Sequence, residues 1–394
     1  MNFVDWLILV SRVVAVFVLL LISVMIVIWY ERKLVADMQT RIGPNRAGPA
    51  GILISIADGI KLFFKEGVTP TQADRPVYVL APVIQLVPAF LAFAVIPFGT
   101  GVTIAGRAVP FQIADLNVGV LWILAMSSLA VYGIVLAGWS SGSNYPLLGS
   151  IRSSAQMISY EVVMSLGLIA VIMYSGTLSM SEIVEFQARH FEGELFGFIP
   201  IGWMARWNII AQFPAFVIFL VAGLAETNRH PFDLPEAESE LVAGYNTEYS
   251  GIKFAMFFLA EYLHMITISA LAVTLFLGGW HGPRFDVVPW LWPVVWFLVK
   301  LYVILFLFMW IRATLPRFRY DRLMRLGWKV GIPLGLFWVM ATAAIVVLPD
   351  VYGPNAFRVG LWVIGGLLLL FWIAPVFTPK PAPAKPAAGA RGPR

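Results

Sequence analysis

Long apolar runs separated by short polar or charged stretches recur along the whole chain. Each run approaches about 20 residues, the length that carries an α-helix across a bilayer. They fall near Val13–Tyr30, Val77–Phe98, Val118–Ala137, Ala155–Tyr174, Trp207–Ala225, Ile252–Leu277, Trp290–Ile311, Val330–Leu348 and Phe357–Phe377. The pattern predicts an all-α polytopic membrane protein with about nine transmembrane helices. They form a single transmembrane domain over 1–377, with cytoplasmic loops at 31–76, 226–251 and 312–329. Residues 378–394 are Pro/Ala-rich and basic, and read as a disordered cytoplasmic tail. The first run lacks a small-residue cleavage site and passes directly into Glu31-Arg32-Lys33, so it reads as a retained helix rather than a signal peptide.

Two connections carry patterns of their own. After the first run comes RIGPNRAGPAG (Arg41–Gly51), rich in turn residues, and then ILISIADGIKLFFKE, which has helical periodicity. Asp58, Lys61 and Lys65 share one face, while Ile52, Ile56, Ile60, Phe63 and Phe64 cover much of the rest. This predicts an amphipathic surface helix on the cytoplasmic side, either lying on lipid or roofing a cavity. The connection Gly176–Met204, with Glu182, Glu185, Glu192 and Glu194, reads as a solvated surface helix.

Composition agrees with the membrane reading: 60% of residues are hydrophobic and 12% charged, against about a quarter charged in a soluble domain. The chain has no cysteine, which excludes disulfides, thiolate nucleophiles and cysteine-ligated clusters. The four histidines, His190, His230, His264 and His281, have no metal-ligand spacing and read as structural, so no metal site is expected. Of 27 lysines and arginines, 20 fall on one side of the predicted spans and six on the other, with Lys300 inside a span. The basic excess places the N-terminus outside and the C-terminus in the cytoplasm.

Against that basic side, AETNRHPFDLPEAESELVAGYNTE (Ala225–Glu248) gathers Glu226, Asp233, Glu236, Glu238, Glu240 and Glu248 around one cation, Arg229. Crowded carboxylates beside apolar helices repel one another and share protons, which is the raw material of a proton path. A solvated acidic loop is the alternative. Pro231 and Pro235 stiffen the stretch around Asp233, and it closes on the apolar Leu241, Val242 and Ala243, unlike a loose tail. Ionisable groups inside spans are costly and mark function by default. Glu161 lies about two turns into the fourth span, Glu226 ends the fifth, and Glu261 lies in the sixth with His264 one turn away. Ordinary roles exist for these groups: Glu261 hydrogen-bonding His264, and Lys300 pairing with a buried carboxylate. Three glutamates near the same ends of three spans, continuing an acidic loop, nevertheless resemble a chain of proton-accepting sites.

ERKL with QTRIGPNR, ADGIKLFFKE, SYEV, the long acidic stretch through EYSG, and WIRATLPRFRYDRLM together resemble the H-type membrane subunit family of NADH-quinone oxidoreductase, respiratory complex I. The similarity runs from the first helix to about the eighth; the ninth helix and the tail are extensions that some family members carry. The resemblance implies a subunit at the joint between the peripheral redox arm and the proton-pumping arm, in a bacterial plasma membrane. It implies quinone, ubiquinone or menaquinone, as substrate, nothing covalently bound, and iron-sulfur clusters and flavin confined to partner subunits. Arg32, Arg41, Arg46, Asp58, Lys61 and Lys65 would lie at or near the quinone tunnel entrance, with Phe254, Phe257 and Phe258 as apolar wall. Glu161, Glu226, Asp233, Glu236, Glu238, Glu240 and Glu261 would form the acidic path toward the antiporter-like subunits. Arg312, Arg317, Arg319 and Arg322 would dock the peripheral arm. The expected partners are thus the peripheral-arm quinone-site and terminal-cluster subunits, small membrane subunits, antiporter-like subunits, quinone and the bilayer, with no nucleic acid. The equivalent subunit of a membrane-bound hydrogenase-type complex, a stand-alone proton-coupled transporter and a purely structural anchor are the rival readings. The intact ERKL, QTRIGPNR and ADGIKLFFKE elements favour the quinone-using complex over the first of these, and the buried glutamates argue against the last.

Overall fold

A computed structural model of the chain describes residues 3–104, 107–189, 194–195, 199–200, 205–233, 243–283 and 288–353. The first helix, α1, runs Phe3–Met38, longer than the apolar run that predicts it, because polar residues at both ends continue the same turn pattern. Val16, Leu20, Val24 and Val27 are buried along one stripe. Leu7, Val10, Val14 and Phe17 are exposed, the arrangement of a helix with lipid on its other faces. The predicted amphipathic helix is α2, Ile54–Phe64, and its Ile56, Ile60, Phe63 and Phe64 are exposed.

Helix α3 (Arg75–Ala92) opens with Pro76 in its first turn, where a missing N–H costs nothing, and a 3-10 turn carries it to Val95. A short hairpin, β1 (Val102–Ile104) with β2 (Arg107–Val109), leads to α4 (Gly119–Ser140). Helices α3 and α4 pack closely at Gly133, where a Cβ would meet Gln85 N at 2.8 Å and Ala81 O at 2.9 Å. Helix α5 extends over Asn144–Ser175, starting eleven residues before the apolar run that predicts it, so Glu161 lies mid-helix instead of two turns in. Pro146 in its first turn and a run of small side chains on its buried face allow that extension.

The connection after α5 holds α6 (Met180–Ala188), capped by Ser179, and the two-residue strands β3 (Glu194–Leu195) and β4 (Ile199–Pro200). Helix α6 is not simply solvated: Met180, Ile183, Val184 and Gln187 are buried. Gln187 sews this end together, accepting from Asn208 N and Gly278 N and donating to Thr274 O. The fifth predicted span is two helices, α7 (Asn208–Ala211) and α8 (Phe213–Glu226), broken at Gln212. Pro214 at the start of α8 favours a fresh helix start there, and the buried Gln212 side chain accepts from Trp338 Nε1 and Thr342 Oγ1.

Helix α9 (Gly251–Phe276) is central: 72% of its most apolar stretch is buried, against 22% for α1. Helix α10 is Leu291–Thr314. Residues expected as loop are helical from Tyr320, as α11 (Tyr320–Arg325), a π-helical turn Leu326–Gly331 and α12 (Ile332–Tyr352). Among the described residues, seven helical segments are long and apolar enough to cross a membrane, and α8 is a shorter apolar helix of 14 residues. Two compact units divide the chain, Met1–Thr342 and Ala343–Arg394. The expected ninth span, the tail and Glu236, Glu238 and Glu240 lie outside the described residues.

Lys300, for which pairing with a buried carboxylate is the ordinary alternative role, donates to the carbonyls of Leu277, Gly279 and His281 at 2.7, 3.0 and 2.7 Å. Its ammonium also sits 4.4 Å from the centre of the Trp207 ring. The end of α9 leaves carbonyls without helical partners, and a long cationic side chain from α10 satisfies them.

Candidate functional site

At one end of the bundle, α1, the segment after it, the turn after α8, and the facing sides of α9 and α10 enclose an open cavity of about 930 Å³. Arg32, Val35, Gln39, Arg41, Ile42 and Pro44 line one side, and Phe258, Glu261, Tyr262, Arg229, His230 and Arg312 the other. Its floor is an ion cluster. Glu31 is 5% exposed; one carboxylate oxygen pairs with Arg312 and lies 3.4 Å from Arg229, and the other accepts the Tyr262 hydroxyl at 2.7 Å. Arg229 Nε reaches Glu261 Oε1 at 2.7 Å, and its guanidinium lies 4.3 Å over the Tyr262 ring. Buried charges survive only when paired and hydrogen-bonded, and on this floor both guanidinium groups meet a carboxylate. Four arginines and two glutamates line the cavity, leaving it electropositive.

Glu261 has a second environment. Together with Gln85, Asn228, Glu226 and His264 it lines a small void of about 20 Å³, room for one water. Buried Gln85 Oε1, Asn228 Oδ1 and Glu226 Oε2 have no hydrogen-bond partner among the described residues. Glu226 Oε1 lies 3.2 Å from His264 Nε2 and accepts from Ser127, while Ser128 donates to Glu161. His264 therefore serves Glu226, not Glu261 as its helix spacing suggests. The end of α8 that presents Glu226 is fixed by Gln156 of α5, whose amide donates to Ala225 O and Phe232 O, both at 2.7 Å.

The structure brings together some of the predicted residues and separates others. Arg32 and Arg41 line the cavity. Asp58 ties α2 to the rim by pairing with Arg32 at 2.8 Å and Lys61 at 3.0 Å. Burial pushes its carboxyl up, but the hydrogen bonds and charges of Lys61 and Arg32 outweigh that and hold it below the usual carboxylate range. Arg46 and Lys65 are exposed and off the lining. Phe258 faces the cavity, Phe254 stacks on it, and Phe257 is buried elsewhere between Tyr245 and Tyr249. Asp233 pairs with His230 at 3.0 Å. Arg312, grouped with the docking arginines, closes the cavity floor, whereas Arg319 and Arg322 are exposed and Arg317 is half-buried.

Glu31, Arg229, Tyr262, His264, Ser127 and Ser128 receive no site role from sequence alone. Glu31 does carry a signal, an acid at the edge of an apolar run, but in sequence it reads first as the end of that run. The other five reach their partners across helices, and spacing along one helix does not reveal that.

The family model described as NADH dehydrogenase matches residues 11–343. Two relatives, from Frankia casuarinae and Frankia alni, both named as the H-type subunit of NADH-quinone oxidoreductase, are each 53% identical over 370 residues, covering 93% of this chain and 78% of the relative.

Proposed function

Because the chain belongs to the NADH dehydrogenase family, as a membrane subunit of NADH-quinone oxidoreductase, we propose that its large cavity receives the quinone substrate and its acidic groups couple quinone reduction to proton translocation. The observation that carries this is the double position of Glu261, which lines both the open cavity and the void that holds Glu226. About 930 Å³ suits a ring with part of its tail. Phe258, Val35 and Ile42 give apolar contact, and Arg41 and Arg229 are donors for quinone oxygens. Addition of electrons to a quinone makes its oxygens more negative, and the arginine-glutamate cluster responds by re-pairing. Arg229 then shares less of its charge with Glu261, whose altered proton demand passes through the void to Glu226 and His264 and bears electrostatically on Glu161, held nearby by Ser128 of α4.

The proton-translocating role, orientation with the N-terminus outside, residence in a bacterial plasma membrane, and partners in the redox and antiporter-like subunits belong to the same proposal. So do the roles of Glu236, Glu238 and Glu240, and the docking of the redox arm by Arg317, Arg319 and Arg322. Flavin and iron-sulfur chemistry reside in partners under this reading. The test is Glu226→Gln in membrane vesicles holding the assembled complex, with NADH-driven quinone reduction and proton uptake recorded together and an uncoupler control. Loss of both with assembly intact supports the reading; wild-type values for both reject it.

A further inference from the structure

The two serines at the middle of α4 differ from several other serines of the bundle. Ser23, Ser141, Ser159 and Ser269 each turn their hydroxyl back onto the carbonyl four residues earlier, the usual way a helix satisfies a hydroxyl in an apolar setting. Ser127 and Ser128 instead send theirs across to other helices, Ser127 to Glu226 of α8 and Ser128 to Glu161 of α5. Successive side chains on an α-helix point about 100° apart, so adjacent positions serve two neighbours that a single side chain cannot. Ser127 is 5% exposed and Glu226 is 1% exposed, so a carboxylate there has little water to replace a lost donor.

We propose that Ser127 and Ser128 are positioning residues that hold Glu226 and Glu161 as one linked pair of proton sites, with α4 as the rigid piece between them. The inference rests on the acidic-path reading above and deepens it. Each hydroxyl fixes one carboxylate oxygen. For Glu226 this turns the second oxygen, which has no hydrogen-bond partner among the described residues, into the void shared with Gln85, Asn228 and Glu261. The serines act by holding oxygens in place and keep their own O–H bonds throughout. Without them each carboxylate is free to swing toward another donor, and the spacing between the two sites is lost.

The test uses vesicles containing the assembled complex and compares Ser127→Ala, Ser128→Ala and the double variant with Thr and Val at the same positions. Threonine and valine have nearly the same shape and differ in the hydroxyl, so the pair reports the donor even where alanine impairs assembly. The expected result is a fall of about tenfold in coupled NADH-driven quinone reduction and proton uptake for alanine and valine, with threonine near wild type. Equal activity of the threonine and valine variants overturns the proposal. With Glu226→Gln measured alongside, wild-type serine variants beside an inactive Glu226→Gln reject the serine roles while the acidic path stands. Inactive serine variants beside a fully active Glu226→Gln reject both.

Discussion

Arg229 Nε lies 2.7 Å from Glu261 Oε1, and the same guanidinium reaches Glu31 at 3.4 Å and covers the face of Tyr262. One side chain from the turn after α8 thus joins α1 to α9 at the floor of the cavity. It is 7% exposed, so its charge is balanced by those carboxylates and not by water.

Replacing it therefore takes the guanidinium from Glu261 and leaves Glu31 to Arg312 and Tyr262. Arg229→Gln is expected to destabilise the fold by about 3–5 kcal/mol, the range for breaking a buried pair from one side. Arg229→Lys recovers little, because an ammonium is one point charge and cannot fork between Glu261 and Glu31. Heat-inactivation midpoints of the detergent-solubilised complex measure this. A lysine variant equal to wild type would show that the two-sided pairing is unimportant.

Asp58 gives a pH dependence with a definite sign. Its carboxyl is held below the ordinary value in the folded protein by Lys61 and Arg32. The stabilisation is present above the ordinary carboxylate value and is lost as pH falls through the lower, folded one. Limited proteolysis of the Arg41–Gly51 segment should show protection at neutral pH that disappears below about pH 4. In Asp58→Asn the segment should be cut at a rate independent of pH across that window; a retained pH step would assign the protection to another acid.

Lys300 offers a test of the fold away from the cavity. Lys300→Met removes the donor to three carbonyls at the end of α9. Each buried acceptor left without a donor costs about 1–3 kcal/mol. The expected outcome is a lower yield of assembled complex with quinone reduction per assembled complex unchanged, read from a native gel alongside activity. A loss of specific activity at normal yield would place Lys300 in the coupling path instead.

That this chain is a bundle of apolar helices is written in its order of residues, because only helices satisfy their own backbone in lipid and the runs have the required length. That Glu161, Glu226 and Glu261 stand on or at the ends of apolar helices is written there too, though the early start of α5 moves Glu161 to mid-helix. The amphipathic α2 and its Asp58–Lys61 face follow from periodicity alone. Partnership is different, and rests on the packed bundle. His264 is one turn from Glu261 in sequence yet pairs with Glu226, Arg312 turns inward to Glu31, and Lys300 finds carbonyls, because each choice depends on which helix lies opposite. A pattern along one helix fixes the face on which a group stands, while packing between helices fixes what that face meets, and in a low-dielectric interior the meeting sets the chemistry.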